Sequence, residues 1–279
     1  GSHRNAWLTV RGDPPAGGVP VGAARERRVI ELENPGFENP PVTDSNAATV
    51  IGWIEESESQ VFIVDHTGGQ WGPPGMTQVG YFTNAPGGAI RQPLGHRWTG
   101  GDVSTLRLDA FEAGWRVTTA GDAIGVQIRQ SGGSVLWDSG AIGLDGTLQG
   151  SEAALGWGAV DRHLEFEIRA EEFALGSEGE PIEIRIYRAG GVVWFDNLSF
   201  EVSVPLPGLR ASALLPAGGV RLDAFGLDPG VEYAVFRGTD LVDFPDQVGA
   251  AVSGVGSHVF IDGVPPAGRA FYVLRQSLP

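Results

Sequence analysis

Three tryptophans sit where an aromatic face is expected to meet solvent. Trp71 lies in Gly68-Gly-Gln-Trp-Gly-Pro-Pro, Trp98 in Gly95-His-Arg-Trp-Thr-Gly, and Trp157 in Leu155-Gly-Trp-Gly. Exposed indole faces stack on the C–H surfaces of sugars and lose little rotamer freedom in doing so. Arg97 and His96 flank Trp98 and are the natural polar partners of such a platform. Trp137 shares a loop-like setting, whereas Trp53, Trp115 and Trp194 fall on strand patterns and read as core. The competing reading is that all the loop tryptophans pack between sheets or under loops. If the ligand is an acidic sugar, Arg91, Arg97 and Arg129 are its nearest cationic candidates.

Other chemistry finds less support. The run Glu55-Glu-Ser-Glu58 reads as a solvated loop, because among 34 acids some pairs reach catalytic spacing by chance. His66, His96, His163 and His258 are scattered, with no His-Glu-x-x-His and no Gly-x-Ser-x-Gly. Asn84-Ala-Pro-Gly-Gly lacks the strand-to-helix setting of a phosphate loop. With Cys 0, disulfide scaffolds, thiolate metal sites and thiol catalysis are excluded. All 19 basic residues are arginine, so Schiff-base chemistry and a lysine base are excluded too.

The net charge of −15 is concentrated in the middle of the chain: residues 29–202 carry 25 acids against nine arginines. Such a surface repels nucleic acid and anionic membranes, and leaves neutral glycans, cations and basic surfaces as partners. No apolar stretch is long enough to span a bilayer, and Gly1-Ser2-His3 reads as a tag remnant.

The elements that would position these residues are short strands. Gly 43 and Pro 19 disfavour long helices. In Leu106-Arg-Leu-Asp-Ala-Phe, Leu164-Glu-Phe-Glu-Ile-Arg and Ile182-Glu-Ile-Arg-Ile-Tyr every second residue is apolar, which predicts antiparallel sheets with one buried face. Ser131-Gly-Gly-Ser predicts a tight hairpin. Residues 1–28 read as tag remnant and linker or arm, with a short strand at Ala6–Val10. Residues 29–204 form a β-sandwich. The Pro-rich joint Val204-Pro-Leu-Pro-Gly then opens a small C-terminal β-domain over 205–279.

Asn34-Pro-Gly-Phe-Glu38, Gly52-Trp53 and Val193-Trp-Phe-Asp-Asn-Leu-Ser-Phe200 form an ordered trio. It resembles the start, early strand and closing strand of jelly-roll domains of the carbohydrate-binding-module, galactose-binding-like type found in bacterial secreted proteins. Tyr233–Phe244 and Pro266–Arg275 are similar to the small C-terminal β-domains of planctomycete and verrucomicrobial secreted proteins. The resemblance implies an all-β fold, a jelly-roll sandwich followed by the small domain, secreted or held at the cell surface. It implies a structural calcium bound by the Gly36 carbonyl, the Glu38 and Asp196 carboxylates and a carbonyl near Thr77, a set of hard oxygens that suits the ion. Pro74 departs from the family pattern, which often carries an acid there, and the alternative is that Glu38 caps a turn while Asp196 orders a backbone amide. The function implied is non-catalytic recognition of a polysaccharide or other extracellular glycan, alone or beside an enzyme. A structural or adhesive surface protein and a jelly-roll enzyme are the alternatives.

Overall fold

The computed structural model describes residues 6–9, 23–39, 41, 50–56, 61–65, 78–82, 87–112, 121–144, 162–173, 178–215, 218–254, 256–266 and 270–277. Within them, strands β1 (Ala6–Thr9), β2 (Arg25–Ile30), β3 (Ile54–Glu55), β4 (Val61–Asp65), β5 (Gln78–Phe82), β6 (Ala89–Arg97), β7 (Val103–Glu112), β8 (Ala123–Gln130), β9 (Val135–Asp138), β10 (Ile142–Gly143), β11 (Arg162–Arg169), β12 (Pro181–Gly190) and β13 (Val193–Pro205) build the first domain, except β1. The C-terminal domain holds β14 (Gly208–Leu214), β15 (Val220–Leu227), β16 (Glu232–Gly238), β17 (Asp246–Ser253), β18 (Gly256–Asp262) and β19 (Phe271–Ser277). One 3-10 turn at Ala170–Glu172 is the only helical element among the described residues, and no helix there is long and apolar enough to cross a membrane.

The first domain is two antiparallel sheets. One runs β10-β8-β12-β6-β3, with β9 on β8, and the other β11-β7-β13-β5-β4, with β2 on β13. The chain crosses between them at nearly every step: β5, β7, β11 and β13 lie in one sheet, β6, β8 and β12 in the other. That crossing is jelly-roll connectivity. The alternation seen in sequence is what fills the space between the sheets. Ile124, Val126, Ile128, Ile182, Ile184 and Ile186 from one sheet meet Leu106, Leu108, Phe195, Phe200 and Val202 from the other, all of them buried. The predicted hairpin is present: Gly133 N–H donates to Gln130 O at 3.0 Å between β8 and β9.

Two placements differ from expectation, those of β2 and β1, and one strand carries a proline. β2 starts at Arg25, inside the segment read as an arm, and pairs with β13 from Phe200↔Ile30 to Pro205↔Arg25. Charged Arg-Glu-Arg-Arg hides this strand from a hydrophobic pattern; its partners supply the reason, since Arg27 pairs with Glu201 and Arg25 bonds Ser203. Strand β6 runs through Pro93, which has no N–H to give a ladder. The register with β12 shifts there, between Pro181 and Glu183, and β3 pairs only at Ile54 and Glu55, so no bond is required of Pro93. The arm's own strand β1 pairs with β19 and so belongs to the C-terminal domain's sheet, β1-β19-β16-β17. A second sheet, β14-β15-β18, closes that domain over Leu222, Tyr233, Val235, Phe260 and Tyr272.

Candidate functional site

The segment Asn34–Glu38 turns left-handed twice, at Asn34 and Phe37, both with φ 52°. The Asn34 side chain holds the turn by donating to Asn39 O and Ile51 O and accepting from Asn39 N–H. This drives Phe37 into the core, edge-on to Phe195 at 4.9 Å and stacked with Trp53 at 5.5 Å. The three motif segments therefore meet at one end of the sandwich. Gly80 permits the meeting, because a Cβ there would lie 2.4 Å from the Phe195 ring.

On β13 a bulge between Asp196 and Ser199 includes Asn197 at φ 52°, and Leu198 N–H donates to Pro35 O at 3.1 Å. Bulges re-aim side chains. Asp196 here is 4% exposed, and its Oδ1 has no hydrogen-bond partner among the described residues. A Cβ placed on Gly36 would stand 3.7 Å from that same oxygen. Burial, with the nearby Glu38 and Asp109 carboxylates, pushes Asp196 up to about 7. A buried, partnerless carboxylate oxygen beside other acids fits a hard cation. Asp109 also contacts the exposed His163 at 2.6 Å and Asn197 at 2.9 Å. Thr77 lies outside the described residues, and among those described no group of three or more His, Cys, Asp or Glu gathers in metal-ligating geometry.

The aromatic platform takes a different form. Trp71 and Trp157 lie outside the described residues. Trp98 corrects the expectation of an exposed ring: it is 6% exposed, packed in the first-domain core and edge-on to Phe173 at 4.9 Å. Of the glycines around it, Gly100 makes room for the Glu178 carboxylate, whereas Gly95 supplies a left-handed turn at φ +65°. His96 is nearly buried and bonded to Asp102 at 2.9 Å, and Asp102 also accepts from Thr99 N–H and Thr99 Oγ1. Arg97 donates to Gly179 O at 2.8 Å. These two side chains thus order the turn after β6, beside the C-terminal domain's Leu227–Pro229.

The face of the β12 sheet that is turned away from the core carries a polar lattice that no single strand pattern reveals. Register places Arg91, Arg185, Gln127 and Asp138 directly opposite one another across β6, β12, β8 and β9. The next row holds Glu183 and Arg129, and on the other side Tyr187 faces Gly125. Arg185 grips Glu56 with two bonds, at 2.9 and 2.7 Å, and Arg129 reaches the same carboxylate at 3.0 Å. Arg91 bonds Glu183 at 2.7 Å. Tyr187 O–H donates to Asp138 at 2.9 Å, and Arg185 stands over the Tyr187 ring at 5.2 Å.

These contacts set the local electrostatics. The hydrogen bond from Arg185 holds Glu56 below the usual carboxylate range. Burial works against ionising Asp138, but bonds from Gln127, Gly140 N–H and Tyr187 outweigh it and lower its pKa. Burial, then the Asp138 bond, pushes Tyr187 up to about 12, so it stays a neutral donor. Three guanidiniums and three carboxylates cancel. Arg91 and Arg129, expected as contacts for an acidic sugar, are thus already neutralised. The available sequence signals were Gly125 in mid-strand, where a Cβ would lie 2.1 Å from the Tyr187 ring, and the polar places of Ile182-Glu-Ile-Arg-Ile-Tyr.

No protein-family model and no curated protein matches this chain. Among solved structures it is similar to the arabinose-bound MgGH51 α-L-arabinofuranosidase, at 12% identity and TM-score 0.38, over 61% of this chain and 26% of the enzyme. It is similar to the carbohydrate-binding module TmCBM61 in complex with β-1,4-galactotriose, at 15% identity and TM-score 0.36, over 62% of this chain and 97% of the module. A third is the family 11 carbohydrate-binding module from Clostridium thermocellum in complex with a β-1,3-1,4-mixed-linked tetrasaccharide, at 11% identity and TM-score 0.33, over 64% of this chain and 96% of that one.

Proposed function

We propose that the first domain is a non-catalytic, calcium-supported glycan-binding module of an exported protein, and that it binds a neutral polysaccharide on the outer face of the β12 sheet. The observation that carries this reading is Arg91 set directly opposite Arg185 on that face. Like charges directly opposite in a sheet are destabilising, so a placement that needs Glu56 and Glu183 to offset it points to a use beyond folding. The use that fits is hydroxyl recognition. Guanidiniums supply planar donors, carboxylates supply acceptors, and the Tyr187 ring supplies an apolar face. Since the charges cancel, the ligand is neutral. Asp196, with Glu38 and Gly36, is the calcium end of the domain; the ion there would lock the chain's entry segment to its closing strand.

The test is a polysaccharide array probed with the wild type, Arg185→Ala and Tyr187→Ala. Retention of a neutral polysaccharide by the wild type is expected, weakened about tenfold or more in each variant with the fold intact. Wild-type retention that both variants keep would place the ligand elsewhere.

A further inference from the structure

A cleft of about 490 Å³ lies between the two domains. Its first-domain wall is Trp98, Gly100, Gly101 and the turn from Ala170 to Phe173, with Glu178 at one end. The opposite wall is the outer face of the β14-β15-β18 sheet. There register sets Arg221 opposite Ile261, Asp223 opposite Val259 and Phe225 opposite Ser257. The walls are held at close quarters. The Glu178 carboxylate accepts from Gly100 N–H at 3.0 Å, and a Cβ on Gly256 would lie 2.6 Å from its other oxygen and 3.0 Å from Thr99. Glycine, with φ +85° at position 256, is what allows this approach.

The volume falls within the range of about 300–1,000 Å³ common for small-molecule sites, which favour domain interfaces. The walls offer half-buried aromatic rings, Phe173 and Phe225, and at the first-domain wall the Trp98 indole N–H is buried without a partner among the described residues. The charges disfavour an anionic ligand: Arg221 is bonded to Asp223 at 3.0 Å and Arg169 stands 3.9 Å from Glu171, leaving Glu178 with no cationic partner among the described residues. Burial raises Glu178, and the nearby Asp102 adds to this, which suits a neutral hydroxyl donor as its partner.

We propose that this cleft binds a short neutral saccharide, a chain end of one or two units, between Phe173 and Phe225 with Glu178 and Ser257 as polar partners. The proposal rests on the glycan reading but not on the β12 face. It makes the C-terminal domain half of a binding site, with the sheet face holding the chain and the seam holding its end.

The experiment is saturation-transfer NMR with glucose, galactose, xylose and their β-1,4-linked disaccharides, with spermidine as a cationic probe. It uses the full chain as wild type, Val259→Trp (to fill the cleft), Glu178→Gln and Arg185→Ala, each also run on the polysaccharide array. Saturation of a neutral sugar by the wild type and by Arg185→Ala, at least tenfold weaker in Val259→Trp and weakened in Glu178→Gln, is expected. Array binding should survive in Val259→Trp. No saturation of any neutral sugar, equal saturation in Val259→Trp, or saturation of spermidine alone overturns the proposal. Loss of array binding by the wild type would instead remove the glycan reading itself. If circular dichroism shows Val259→Trp unfolded, Ser257→Phe takes its place with the same readouts.

Discussion

Asp196 concentrates the chemistry of its end of the sandwich in one oxygen. Its native carboxyl keeps a proton up to about 7, while the unfolded chain releases it near the ordinary value of about 3.9. Between those limits the folded state binds more protons, so this group's contribution to stability is lost as pH rises and levels off above 7. In chelator, Asp196→Asn should therefore melt higher than the wild type at pH 8, since it removes a buried charge. In calcium the order should reverse, by several degrees, because only the wild type gains from binding. Melting curves in the two buffers check this, and an unchanged order would remove calcium from the account. Sequence made this residue legible through the Asp196-Asn motif, but not Trp98. Glycines beside a tryptophan mark exposure and close packing alike, and only the position of Phe173 decides between them.

Among the elements, strands with apolar alternation were legible because one face must be buried, and β7, β11 and β12 lie where that period puts them. What stayed hidden was set by partners distant in the chain. β2 is charged throughout its middle, and β14 carries little pattern, yet each is fixed by a neighbour, β13 and β15. The same logic hides the polar face. Its residues take the places that face away from the core in each strand, and they become a lattice only when four strands align in register. Gly125 is the element-scale device that lets the Tyr187 ring lie flat on its neighbour. Gly125→Ala should displace that ring, lower stability by about 1–3 kcal/mol and weaken glycan retention; denaturant unfolding and the array measure both, and a neutral outcome would mean the ring is not held there. Strand β1 caps the edge of β19, from Ala6↔Leu274 to Thr9↔Phe271. Removing residues 1–10 should expose a bare edge, so the shortened chain should melt earlier and self-associate in size-exclusion chromatography. A monomer of unchanged melting behaviour would show that β1 contributes nothing.

Across the whole molecule the acidic surface and the neutral lattice belong together. A charge of −15 opposes polyanions, while the proposed binding face is internally balanced and presents donors and acceptors without net charge. The domains are also tied across their seam by Arg28 with Asp228 at 3.2 Å, and Gly256 lets the Glu178 carboxylate lie close beside it. The Pro-rich joint led us to expect a domain boundary near Pro205, and β13 ends at that proline. It did not foretell that the seam would be lined by the turn carrying Trp98, because nothing local links that turn to β18. The central claim is that a neutral glycan lies on the Arg91–Arg185 row. Calorimetric titration of the retained polysaccharide into wild type and Arg185→Ala, at low and at high salt, tests it most directly. Wild-type affinity should scarcely change with salt and should fall about tenfold or more in Arg185→Ala at either salt. Affinity that collapses in high salt, or that Arg185→Ala retains in full, would contradict it.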